Sequence, residues 1–168
     1  MKLYLVRHGP AYPRDPARWP GDTARPLSPQ GSRETRAVAR AFARVVGAVD
    51  WIGTSPARRT TRTAEIFAEE LEPAPSLRSW PELGIGRAPL EAFERLVREA
   101  RPSGAVVLVG HAPGLAQLVG LALTAETVPI AHLRKAGTAA IEFPRRVAPG
   151  AGRLEWLLTR KQWGAARR

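Results

Sequence analysis

The chain predicts an α/β fold, a three-layer α/β/α sandwich around a largely parallel sheet, and three observations carry that expectation. Two uninterrupted apolar runs, Leu3-Tyr4-Leu5-Val6 and Ala105-Val106-Val107-Leu108-Val109, read as strands buried on both faces. Strand signals alternate with apolar residues at helical spacing along the chain, the pattern of parallel strands joined by right-handed crossover helices. A histidine stands just past each run, in Arg7-His8-Gly9 and in Gly110-His111. Parallel sheets place ligands in the crevice outside their carboxyl ends, so residues about a hundred positions apart can meet there.

The elements follow in order. After the first strand, residues 10–27 hold five prolines and several charges and read as a long loop, of the kind that walls a site. Ser28-Pro29 is a cap followed by proline at the first helical position, and Val38, Phe42, Val45 and Val46 mark the buried face of a helix over 29–46. Residues 49–54 form a second strand, and Ser55-Pro56 opens a second helix that buries Ile66, Phe67 and Leu71. Residues 72–88 read as irregular, and a third helix runs over 89–100. Strand three covers 105–109; a helix opened by Pro113 follows, carrying Leu115, Leu118, Val119 and Leu121. Two more strands, 138–143 and 153–158, flank a turn at Pro149-Gly150, and the last ten residues are left unassigned.

A length of 168 residues fits one domain, 1–168, with room for a substantial core. Cysteine is absent, so disulfides and thiolate metal sites are excluded. The histidines at 8, 111 and 132 lack the short paired spacing of a metal site, and Gly84-Ile85-Gly86 does not match a nucleotide-binding loop, so neither a metal nor a cofactor is expected. The first residues are too few for a signal peptide, and the run 118–125 is too short to cross a bilayer, so the expected location is cytoplasmic. The net charge is +11, and only three of the 26 basic residues are lysine. The arginines are interleaved with glutamates, as in Arg95, Arg98 and Arg101 beside Glu91, Glu94 and Glu99, and the densest basic end is the short Arg167-Arg168. That pattern disfavours nucleic acid as a partner and favours phosphorylated substrates drawn by a positive field.

Parallel pairing would bring three strand-to-helix junctions to one edge: Arg7 and His8, Arg58 and Arg59, and His111. Guanidinium forks match phosphate oxygens, and fixed cations oppose the charge of a transferring phosphoryl group. A histidine crowded by arginines disfavours its own imidazolium, leaving a neutral nitrogen able to attack phosphorus.

Arg7-His8-Gly9, the stretch Ser55-Pro56-Ala57-Arg58-Arg59-Thr60-Thr61-Arg62-Thr63-Ala64, and Gly110-His111 together resemble the histidine phosphatase superfamily, the phosphoglycerate-mutase-like fold. Arg25-Pro26-Leu27-Ser28, Pro81-Glu82-Leu83 and His111-Ala112-Pro113-Gly114 narrow the resemblance to phosphohistidine phosphatases of SixA type. The resemblance implies a metal-independent phosphatase in which His8 is phosphorylated and Arg7, Arg59 and His111 contact the phosphoryl group. It also implies a further cation at the pocket edge, Arg25, and a candidate general acid, Glu82. Arg58 and Arg62 are expected on a solvated helix face and His132 outside the site.

Many relatives carry an acidic residue directly after the Arg-His-Gly triplet; this chain has Pro10. Weak acid provision suits a phosphoramidate, whose leaving nitrogen can be protonated before departure, and therefore a phosphohistidine-bearing protein as substrate. The alternatives are a phosphomonoesterase for a small phosphorylated metabolite, using Glu82 as acid, and a module that binds phosphorylated ligands or nucleic acid without turnover.

Overall fold

The structure, a computed structural model, describes residues 1–165; the Arg167-Arg168 end lies outside the described residues. Strands β1 (Lys2–Arg7), β2 (Trp51–Thr54), β3 (Ser76–Ser79), β4 (Ala105–Gly110), β5 (Thr138–Glu142) and β6 (Arg153–Leu158) form one sheet in the order β3-β2-β4-β1-β5-β6. The four strands from β3 to β1 are parallel; β5 and β6 run antiparallel at the other side. Helices α1 (Pro29–Ala43), α2 (Arg58–Glu70), α3 (Pro89–Glu99), α4 (Gly114–Thr124) and α5 (Arg160–Ala165) cover the sheet.

Successive residues of a strand point to opposite faces, and both faces here are apolar and covered. Leu3 and Leu5 of β1 and Val106 and Leu108 of β4 join Phe93, Leu96, Leu118 and Val119 from α3 and α4. Tyr4, Val6, Val107 and Val109 face the other way, against Val38, Phe42, Ile66 and Phe67 of α1 and α2 and Trp163 of α5. This two-sided burial is why the runs are uninterrupted, each fully buried aliphatic side chain contributing about 1.5–3 kcal/mol. Layers, crossovers and central strands thus agree with the α/β/α expectation.

The differences lie where apolar pattern does not decide the structure. Residues 76–79, read as irregular, form the edge strand β3, all four of them exposed. It pairs through backbone with β2, and Arg78 lies over the Trp51 ring at 4.7 Å, so no buried face marks it in the sequence. The first helix ends at Ala43 rather than 46, leaving Val45 exposed, while Ser28 does cap it by accepting from the Gly31 amide at 2.9 Å. Ser55 caps nothing: α2 starts at Arg58 after Ala57, without a side-chain cap. The unassigned carboxyl end contains α5, anchored by Trp163, whose indole donates to Thr138 Oγ1 at 2.8 Å. Among the described residues, no helix is long and apolar enough to cross a membrane.

The start of α1 sits against the segment leaving β1. A Cβ on Gly31 would lie 1.8 Å from the Pro10 carbonyl oxygen, which is backbone and cannot swing aside. Gly31→Ala is therefore expected to destabilise the fold by about 1–3 kcal/mol, the usual cost of overpacking, measurable as a lower urea midpoint at unchanged m-value. An unchanged midpoint would show that this contact is not close.

Candidate active site

Sheet register places the chemistry in one row. Arg7 pairs with Gly110, so β1 and β4 end level, and Thr54 pairs with Val109, so β2 ends one residue short of them. The next residues are His8, His111 and Ser55, and the ladder continues one step beyond the strands: the His8 amide donates to Gly110 O and the Ser55 amide to Val109 O, both at 3.1 Å. The two imidazole centroids are 5.2 Å apart. His8 is 5% exposed and His111 7%. Gly9 must be glycine for a close approach: a Cβ there would lie 2.0 Å from Thr35 Oγ1, while its amide donates to Thr63 Oγ1 at 3.0 Å.

Hydrogen bonding defines both rings as neutral and assigns their tautomers. Nδ1 of His8 is 2.7 Å from the Gly9 carbonyl, which can only accept, so Nδ1 carries the proton and Nε2 the lone pair. Burial, with the neighbouring His111, Arg59 and Arg7, pushes the His8 pKa down to about 3, against the opposing Gly9 bond. His111 is the converse. Its Nδ1 accepts from Arg59 Nη2 at 3.3 Å, so Nε2 bears the proton and donates to Ser55 Oγ at 3.0 Å. Burial and the neighbouring Arg59 lower its pKa to about 4.

Arg59, on the first turn of α2 and 2% exposed, joins the two rings: its Nε donates to His8 Nε2 at 3.3 Å. Its opposite side meets a residue absent from the expected site, Asp22, on the short helical turn Asp22–Ala24 within the 10–27 loop. Nη1 donates to the Asp22 carbonyl at 2.6 Å and Nη2 to Asp22 Oδ2 at 2.7 Å. Although burial pushes its carboxyl up, the bond from Arg25 and the charges of Arg59 and Arg25 hold Asp22 at about 2. Arg25 reaches the site through Asp22, donating from Nε to Oδ1 at 2.9 Å and from Nη1 to the Tyr12 carbonyl at 2.8 Å.

Arg7 donates from Nη1 to the Leu133 carbonyl at 2.9 Å, and its buried Nε has no partner among the described residues. An orphaned buried cation donor beside two neutral rings asks for an anion. Glu82 stands to one side, its Oε2 accepting from Arg95 Nη1 at 3.0 Å. It lines, with His111, a cavity of about 290 Å³ whose walls include Gly84, Arg87 and Gln117. Arg58 is exposed, Arg62 pairs with Glu65 and Glu69, and His132 is exposed. Among the described residues, no group of three or more histidine, aspartate or glutamate side chains could hold a metal ion.

Sequence reasoning thus brought His8, His111, Arg7 and Arg59 to one place and missed Asp22 and Ser55 as site residues. Ser55 read as a helix cap. Asp22 carried a readable signal, since it lies three residues before Arg25 in a loop already singled out.

Residues 3–88 match the profile of the histidine phosphatase superfamily (branch 1). An uncharacterized protein of Picosynechococcus sp. is 34% identical across 97% of this chain and 98% of its own. In fold, the protein histidine phosphatase SixA, solved with tungstate, superposes with a TM-score of 0.82 at 23% identity, covering 96% of this chain and 98% of that one. Phosphoserine phosphatase of Entamoeba histolytica, solved with 3-phosphoglyceric acid, gives 0.65 at 17% identity, covering 94% and 96%. The chain belongs to the histidine phosphatase superfamily. It is a phosphatase with a SixA-like fold.

The depressed histidine pKa values make the fold acid-sensitive. Free imidazoles titrate near 6.5, so the two rings contribute fully above that pH, and the contribution is lost as pH falls toward about 3. Urea midpoints should drop between pH 6.5 and 4 more steeply for the wild type than for a His8→Asn/His111→Gln variant. Equal slopes would mean that the rings are not held neutral.

Proposed function

We propose that this protein is a phosphohistidine phosphatase of SixA type that transfers a phosphoryl group from a phosphorylated protein to His8 and then to water. The observation that carries the reading is the unprotonated Nε2 of His8, buried and fixed by the Nδ1–Gly9 bond, whose lone pair accepts only a long hydrogen bond from the guanidinium beside it. A neutral nitrogen in that state needs no base to activate it.

In the first step Nε2 attacks phosphorus, a P–Nε2 bond forms, and the bond to the leaving group breaks. The leaving nitrogen departs with a proton already on it. In the second step water attacks the phosphorus, the P–Nε2 bond breaks, inorganic phosphate leaves and His8 is neutral again. The orphaned Arg7 Nε and the Arg59 edge supply fixed donors for the equatorial oxygens. His111 Nδ1 presents a lone pair, so a proton must lie between it and a phosphoryl oxygen, carried in by the substrate or taken up on binding.

Two features support a P–N rather than a P–O leaving group. Pro10 leaves no carboxylate next to the nucleophile, and Glu82 is engaged by Arg95. A second reading, a phosphomonoesterase for small metabolites, is favoured by one observation: Glu82 and His111 share one cavity, wide enough for a small ester. That a phosphoserine phosphatase shares this fold keeps ester chemistry within reach of the reading.

His8→Ala should lower phosphate release by at least about a thousandfold, as when a member of a catalytic unit is removed; retained turnover would defeat the mechanism, and absence of any turnover in the wild type would favour a binding module. Glu82→Gln separates the two enzyme readings. Little change on a phosphohistidine-bearing protein and on phosphoramidate is expected, whereas a loss of about a hundredfold confined to phosphate monoesters would favour the metabolite enzyme.

A further inference from the structure

The proposed chemistry concentrates cations, yet an aspartate reaches into it. Asp22 is the anion that touches Arg59, and for a site that must attract a phosphoryl group a carboxylate is a liability in affinity. Its geometry explains its presence. A guanidinium has two forks: a side fork made by Nε and one hydrogen of the adjacent Nη, and an end fork made by the two Nη groups. Asp22 takes the end fork of Arg59, with its carbonyl on Nη1 and Oδ2 on Nη2. The side fork, Nε and Nη2, is thereby aimed at His8 Nε2 and His111 Nδ1, both at 3.3 Å. Those two long bonds to neutral rings are weak, while the two to Asp22 at 2.6 and 2.7 Å are charge-assisted and strong.

Asp22 is itself fixed. Arg25 holds Oδ1 and is anchored to the Tyr12 carbonyl, the Tyr12 amide donates to Pro26 O at 3.2 Å, and Ala11 bridges Leu27 at the base of the loop. A closed chain of bonds therefore runs from the loop base through Arg25 and Asp22 to Arg59. A free arginine side chain carries about 2 kcal/mol of rotamer entropy, and ordering it before substrate arrives removes that cost from the reaction.

We propose that Asp22 is a positioning residue for phosphoryl transfer: it occupies the end fork of Arg59 so that the side fork faces the phosphoryl oxygens between His8 and His111. The proposal rests on the phosphatase reading above and deepens it. It also assigns the 10–27 loop the task of delivering Asp22, with Arg25 holding that carboxylate in place.

The test is a double-mutant cycle in the full chain with phosphoramidate as substrate and inorganic phosphate as inhibitor, using Asp22→Ala, Asp22→Asn, Arg59→Ala and the double Asp22→Ala/Arg59→Ala. Asp22→Ala should lower kcat by about 10- to 100-fold, the scale of a misplaced catalytic group, and should weaken or leave unchanged the inhibition by phosphate. The shape-conserving Asp22→Asn should fall between it and the wild type. In the Arg59→Ala background the same change should cost less than about twofold, within ordinary additivity. Equal losses in both backgrounds would reduce Asp22 to a structural role, and tighter phosphate inhibition with kcat unchanged would make it a mere competitor for Arg59. Failure of the phosphatase reading is separate: it would appear as an active His8→Ala variant, whereas the positioning role fails when the cycle is additive although His8→Ala is inactive.

Discussion

Burial of the Arg59 guanidinium is the constraint on which the rest of the site depends. A cation at 2% exposure survives only if its donors are met, because an unpaired buried charge costs several kcal/mol. Every partner of Arg59 is also part of the proposed chemistry: two imidazole lone pairs on one side and Asp22 on the other. The same contact thus adds to burial in disfavouring protonation of both rings, draws the loop over the sheet edge and orders the cation. A protein that only needed to attract phosphate could have left this arginine in water.

The sheet explains why such a constellation can be built with little strain. The neighbouring carboxyl ends of β1, β4 and β2 bring His8, His111 and Ser55 close together, and the first turn of α2 adds Arg59 from the next layer. The central position of β4 matters: it was inserted between β1 and β2, so residues far apart in sequence become neighbours by register alone. Away from the site the abundant arginine does different work. Arg36 and Arg40 pair with Glu69 and Glu70 between α1 and α2, and Arg95 joins Glu82, Glu99 and the Trp80 ring. Part of the basic composition therefore ties elements of the fold to one another.

Legibility in the sequence followed physical cause. Central strands were readable because two-sided burial forces continuous apolar residues, and α1 because Ser28-Pro29 is a cap with a mechanism. The edge strand Ser76–Ser79 was not, since its pairing is backbone to backbone and its side chains meet solvent. The helix holding Trp163 escaped notice because six residues give too few turns for a periodic signal. In the site, charged and imidazole residues at strand ends were legible from topology, whereas for Asp22 only its local i,i+3 pairing with Arg25 was readable and its reach to Arg59 depends on the tertiary path of the loop. Pairings of that kind have no local sequence period.

The central claim is that phosphorus becomes bonded to Nε2 of His8 during turnover. Rapid quenching into alkali, followed by mapping of the phosphorylated residue and by phosphorus–nitrogen coupling in protein with labelled histidine, addresses it directly. The account predicts a transient phosphoryl group on His8 at Nε2. A phosphoryl group on any other residue or on Nδ1, or turnover without a covalent intermediate, would contradict it.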